Sequence, residues 1–161
     1  TALTHPARVR AIALLDGIAW DPESAAGLDA VGTAVAAGGV AAGRSAWLQH
    51  PLFTTARKLP EVAEKLAEMV ADFPGQHWLG QDPQLPFEPA MLDTLNTIDQ
   101  PALVIVGEHD VPGFNTMADV LAAEIPNASL QRIAGAGHVV NMEASDLVNE
   151  LLLEFLREVA P

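Results

Sequence analysis

The run Ala102-Leu103-Val104-Ile105-Val106, opened by Pro101 and stopped by Gly107, constrains this chain more than any other feature. All five residues are apolar, whereas a half-solvated strand alternates, so the run reads as a central strand covered on both faces, as parallel sheets require. A second compact apolar run, Val9–Leu15, ends at the turn signal Asp16-Gly17, and a shorter strand is expected over Ser129–Ile133. Helices fall between them. Pro60 suits a first helical position, Val62, Leu66, Met69, Val70 and Phe73 share a face, and Pro74-Gly75 stops the helix, predicting residues 60–73. Met117, Val120, Leu121 and Ile125 mark an inward face over 116–125, ended by Pro126. Ser145 is expected to cap a last helix striped with Leu147, Val148, Leu151, Leu152, Phe155, Leu156 and Val159. The order strand, helical insertion, strand, helix, strand, helix predicts an α/β fold of parallel strands with helical crossovers. Residues 1–19 form its first core segment, 20–96 an inserted helical cap and 97–161 the C-terminal core.

Size and charge narrow the function. With 161 residues, half of them hydrophobic, and a mean hydropathy of +0.22, the chain can bury the core of one domain. Eight Lys and Arg against 21 Asp and Glu give a formal charge of −13. Such a surface repels phosphate backbones and anionic membranes, so neither nucleic acid nor membrane is an expected partner. Without cysteine there is no thiolate nucleophile or sulfur-ligated metal. No secretory signal or spanning segment is visible, so a cytoplasmic setting is expected; the initial Thr1 suggests a chain processed or cut from something longer.

Two of the strand-like runs end in loops that carry chemistry: Gly107-Glu108-His109-Asp110 and Gly135-Ala136-Gly137-His138. Open α/β sheets place their sites at the carboxyl ends of the strands. A histidine, with an unperturbed pKa of about 6.5, takes a hydroxyl proton near neutrality, and a buried carboxylate fixes its tautomer and stabilises the imidazolium that forms. The 28 residues from Asp110 to His138 suit one helix and one strand, so both loops can emerge on one edge. Gly135 and Gly137 allow the sharp turn that presents the ring. Asp110 can alternatively cap the following helix, while Glu108 and Asp16 are further carboxylates, Asp16 reading most simply as a turn residue.

The chain resembles the C-terminal half of an α/β-hydrolase. The resemblance runs through THPARVRAIALLDG (4–17), AWLQHPLF (46–53), PALVIVGEHD (101–110) and GAGHVVNMEASDLVNELLLEFL (135–156). It implies a partial α/β-hydrolase fold in which Asp110 is the triad acid and His138 the general base, following the Ser, Asp/Glu, His order of that family. Ser145 stands where the family commonly has proline. The Gly-x-Ser-x-Gly elbow is absent; the nearest match, Gly43-Arg44-Ser45-Ala46-Trp47, lacks the final glycine and falls in a helical segment.

Trp20, Trp47, Phe53, Trp78 and Phe87 are candidates to line a hydrophobic acyl pocket under a cap; cap core is the plainer role, above all for Trp47. Glu61, Glu64 and Glu68 read as a solvated helix face. His5 and His50 precede prolines, His77 neighbours Trp78, and none has metal-ligand spacing, so neither metal nor cofactor is expected. The expectation is the C-terminal portion of a serine hydrolase acting on a small ester, lactone or related acyl or carbon–carbon substrate. It would supply acid and base to a serine elsewhere and be inactive alone. The partner is the N-terminal half of the same hydrolase or a second copy of this chain. The alternative is an inactive interaction or self-associating module using its exposed strand edge.

Overall fold

The computed structural model describes residues 1–17, 28–80 and 89–160. Its core is a three-stranded parallel sheet in the order β1 (Ile12–Leu15), β2 (Ala102–Gly107), β3 (Ala128–Ile133). Ile12 pairs with Ala102 and Ala102 with Ala128, each register continuing to the strand ends. β2 is the central strand that its composition predicts, with all six residues buried.

The pleat of β2 sends alternate side chains to opposite faces. On one face Ala102, Val104 and Val106 pack with Met117, Ala118, Leu121 and Ile125 from α3 (Pro112–Glu124) and its end, and with Leu95 of the 3₁₀ segment Pro89–Thr97 and Ile98 just after it. On the other, Leu103 and Ile105 meet Ile133, Ala136, Val140, Val148 and Phe155, the last two from α5 (Ser145–Glu158). Fully burying a Val, Leu or Ile side chain is worth about 1.5–3 kcal/mol, so β2 anchors both layers.

The insertion between β1 and β2 is helical where it is described: α1 (Leu28–Leu48), α2 (Pro60–Asp72) and short 3₁₀ turns. α1 is broken at Gly38-Gly39, where Gly39 adopts φ +70°. Leu52, Phe53, Ala56, Leu66 and Val70 form a separate apolar cluster that reaches the sheet through Phe114 of α3. The Arg44 guanidinium on α1 donates to the Phe73 carbonyl at 2.6 and 3.0 Å, tying α1 to the end of α2.

Several boundaries differ from the sequence reading. β1 begins at Ile12, not Val9, because its ladder starts where Ile12 N–H meets the Pro101 carbonyl. It is not a buried strand: Ile12, Leu14 and Leu15 are half-buried and Ala13 exposed, since no described strand covers its outer edge. α3 starts at Pro112, a residue pre-set for the first helical turn. Ser145 is not a cap; it is the first residue of α5, behind Ala144, with no capping hydrogen bond. That is the position proline favours. On α2, Met69 is 54 % exposed, and on α5 Leu147 and Leu156 stand out at 44 % and 57 %, so both apolar stripes are wider than the faces buried here. Glu61, Glu64 and Glu68 are solvated, as expected.

A four-residue helix, α4 (Val140–Glu143), follows the second loop. Both chemistry-bearing loops therefore leave the carboxyl ends of adjacent parallel strands, β2 and β3.

Candidate active site

His138 Nδ1 lies 3.0 Å from Asp110 Oδ2. The Asp110 side chain is wholly buried and that of His138 is 20 % exposed. A carboxylate only accepts, so the proton of this bond sits on Nδ1 and Nε2 is left as the ring's acceptor. The other Asp110 oxygen, Oδ1, accepts from Val111 N–H at 2.7 Å. Asp110 does not cap α3, whose N-cap is Val111. The Phe114 ring stands edge-on to the imidazole, with centroids 4.3 Å apart, and restricts its rotation.

Neighbouring groups hold the acid loop. Asn115 Nδ2 donates to the Gly107 carbonyl at 3.3 Å and to the Asp110 carbonyl at 3.2 Å, and His109 N–H donates to the Ala136 carbonyl at 2.8 Å. Glu108 is exposed; its Oε2 accepts from Gly135 N–H at 3.0 Å. Gly135 has φ +76°, where an L side chain is strained. Gly137 is needed for proximity, because a Cβ there would meet Thr55 Oγ1 at 2.8 Å. Its N–H donates to Glu143 Oε2.

Asp16 is more than a turn residue. Its Oδ1 accepts from Gly107 N–H and its Oδ2 from Val140 N–H, each at 3.2 Å. Its pKa is raised from 3.8 to about 7, first by burial and then by the charge of Asp110, against the opposing pull of the two N–H groups and His138. Asp16, Asp110 and His138 each offer one ligand atom within 4.8 Å of the others. Each oxygen of the two aspartates accepts a hydrogen bond, and those of Asp16 reach both loops.

Beside His138 opens an apolar cavity of about 380 Å³, lined by Trp47, Phe53, Leu66, Val70, Phe73 and Val139 among others. Trp47 and Phe53 are thus at the cavity, in edge contact at 5.2 Å. Trp78 is not among its lining residues. It packs behind, edge-on to Phe73 at 4.8 Å, in a slot left open by Gly43 and Gly75. Trp20 and Phe87 lie outside the described residues. Ser45 sits inside α1, its hydroxyl donating to the Ala41 carbonyl at 3.2 Å.

Sequence reasoning did not single out Phe114, Asn115 or Glu143. Only Glu143, a carboxylate five positions past His138, carried a local signal.

A family model described as alpha/beta hydrolase fold matches residues 1–145. The chain belongs to that family. Among solved α/β-hydrolase structures, a thermophilic esterase from Thermogutta terrifontis is similar with a TM-score of 0.77 and 26 % identity, over 99 % of this chain and 60 % of that one. Est816, described as an N-acyl homoserine lactone degrading enzyme, is similar with a TM-score of 0.67 and 27 % identity, over 96 % and 61 %. The polyketide synthase ThaQ of Burkholderia thailandensis is 41 % identical over 64 residues, 40 % of this chain and 3 % of that protein. The chain thus spans about three fifths of these solved relatives. No helix among the described residues is long and apolar enough to cross a membrane.

Proposed function

We propose that this chain is the C-terminal portion of an α/β-fold serine hydrolase, contributing Asp110 as triad acid and His138 as general base to a serine it does not itself carry. The observation that carries the reading is the 3.0 Å contact between His138 Nδ1 and a wholly buried Asp110 carboxylate, with an apolar cavity at the imidazole. The serine Oγ would form a bond to the acyl carbon as its proton passes to His138 Nε2. His138 would then deliver that proton to the leaving group, while Asp110 holds the tautomer. The cavity suits the apolar part of a small ester, lactone or related acyl or carbon–carbon substrate. The esterase and lactone-degrading activities named for structures that are 26 % and 27 % identical support that class.

The partner in this reading is the N-terminal half of the same hydrolase. The outer edge of β1 supports it. Ile12 N–H and Asp16 N–H both point to β2, so by the alternation of a parallel ladder the N–H groups of Ala13 and Leu15 face outward. Beside them runs an open groove of about 480 Å³, lined by Leu3, Val9, Ile12, Leu14, Ile98 and Leu121 among others. β3 presents Ser129, Gln131 and Arg132 to solvent, the polar blunting expected of a true edge, whereas β1 has only apolar residues. The same edge favours the second reading, an inactive module that self-associates.

Native and denaturing mass measurement, combined with a serine-directed fluorophosphonate probe, tests both. A second polypeptide that co-purifies and takes the label supports the two-piece hydrolase; a single unlabelled, self-associated species supports the module. A monodisperse 17.0 kDa monomer with cooperative unfolding overturns both partner readings.

A further inference from the structure

We propose that Asp16 is a positioning residue that fixes the acid loop and the histidine loop relative to each other, through one carboxylate oxygen on Gly107 N–H and the other on Val140 N–H. Gly107 opens the segment that carries Asp110, and Val140 follows His138 by two residues. One side chain at the end of β1 therefore spans 91 and 124 positions of sequence to grip both loops. The inference rests on the reading of Asp110 and His138 as acid and base.

Three features set Asp16 apart from a turn residue. Its backbone occupies φ +44°, and it is the one non-glycine residue with positive φ among those described. Aspartate tolerates that region better than most side chains, yet the conformation is maintained only where surrounding contacts repay it. Its carboxylate is substantially buried beside a second carboxylate, Asp110, an arrangement costly for stability alone. And it completes a symmetrical hold on the histidine loop, since Glu143 takes the N–H of Gly137 on one side of His138 and Asp16 takes that of Val140 on the other. Neither interaction touches the imidazole; together they set where the ring stands.

The titratable groups that face Asp16 are Asp110 and His138. Glu143 on α4 is bonded to Gly137 N–H, and Glu108 on the acid loop to Gly135 N–H. β1 and β2 bring no titratable side chain. An ionised Asp16 accepts strongly from both N–H groups, and protonation weakens the grip.

Backbone amide spectra of the chain across pH 5–9 test this. The amide protons of Gly107 and Val140 are expected to shift with one common midpoint near 7. The step should persist in His138→Gln, which excludes the imidazole as its source, and vanish in Asp16→Asn. In Asp16→Asn the downfield Nδ1–H signal of His138 is expected to be lost to exchange, although Asp110 is intact. If the two amides do not titrate together in the unmodified chain and in His138→Gln, the proposal fails without any need for Asp16→Asn to fold. A folded Asp16→Asn that keeps the His138 signal unchanged also overturns it. In the assembled hydrolase, the same variant should lower kcat on the order of ten- to a hundred-fold with little change in KM. Failure to find a labelled serine would remove the catalytic reading and leave the amide measurements to decide the grip by themselves.

Discussion

Gly107 and Gly137 bring the acid loop and the histidine loop so close that a Cβ on Gly107 would lie 2.2 Å from the Gly137 carbonyl oxygen and 2.6 Å from that of Ala136. Both neighbours are backbone atoms, so no rotamer change relieves the overlap, and the histidine loop itself must move. Gly107→Ala is therefore expected to cost about 1–3 kcal/mol or more, as overpacking does, and to separate His138 from Asp110. Thermal unfolding reads the first effect. Loss of the downfield imidazole proton reads the second.

Asp110→Asn keeps the size and one acceptor but places an amide where the carboxylate met Nδ1–H. In the assembled hydrolase, kcat should fall by on the order of 10³–10⁴, as when the acid of such a triad is neutralised, with the circular dichroism spectrum unchanged. A kcat within tenfold of the unmodified enzyme would assign the acid to another carboxylate, with Asp16 the nearest choice.

The raised pKa of Asp16 makes stability depend on pH with a definite sign. Between the ordinary 3.8 and the folded value of about 7, the native chain holds a proton that the unfolded chain has released. This contribution to stability is complete below pH 3.8 and is lost as pH rises through 7. Asp16→Asn removes the titration, so the unfolding temperature of the unmodified chain minus that of the variant should be largest near pH 4 and decline to a plateau above pH 8. A difference that is flat or rises over this range would contradict the assignment.

At the open edge, Ala13→Pro deletes an N–H that faces away from β2 and leaves the β1–β2 ladder, made through Ile12 and Asp16 N–H, in place. Native mass spectrometry should then show the complex, with either partner, reduced to the 17.0 kDa monomer.

Leu66→Trp adds bulk to the wall of the cavity that His138 shares. In the assembled hydrolase, kcat/KM for esters with longer acyl chains should fall at least tenfold relative to acetyl esters. Equal effects on both would separate the cavity from substrate binding.

β2 was legible because a central parallel strand demands a continuous apolar run: Ala102–Val106 is buried throughout, and the loops after β2 and β3 emerge on one edge. Boundaries were less so. Val9–Ala11 have the composition of a strand but no partner on β2, and Ser145 has the chemistry of a cap but stands one residue inside its helix. Glu108, His109 and Asp110 are equivalent as letters; the turn closed by Asp110 N–H on the Gly107 carbonyl and the Asn115 bonds bring Asp110 to His138. The sequence favoured cap core above all for Trp47, yet Trp47 lines the cavity, while the space left by Gly43 and Gly75 takes Trp78 behind its wall.

By itself the sequence determined the α/β class, the family resemblance and the spacing that brings an acid and a histidine to neighbouring strand ends, because these depend on local periodicity and on residue types at short range. Tertiary structure alone decided that Asp16 joins the two loops, that Phe114 confines His138, and that the two sheet edges differ. Those relationships are hydrogen bonds and packing across as many as 124 positions, where no local pattern in the chain records which groups will meet.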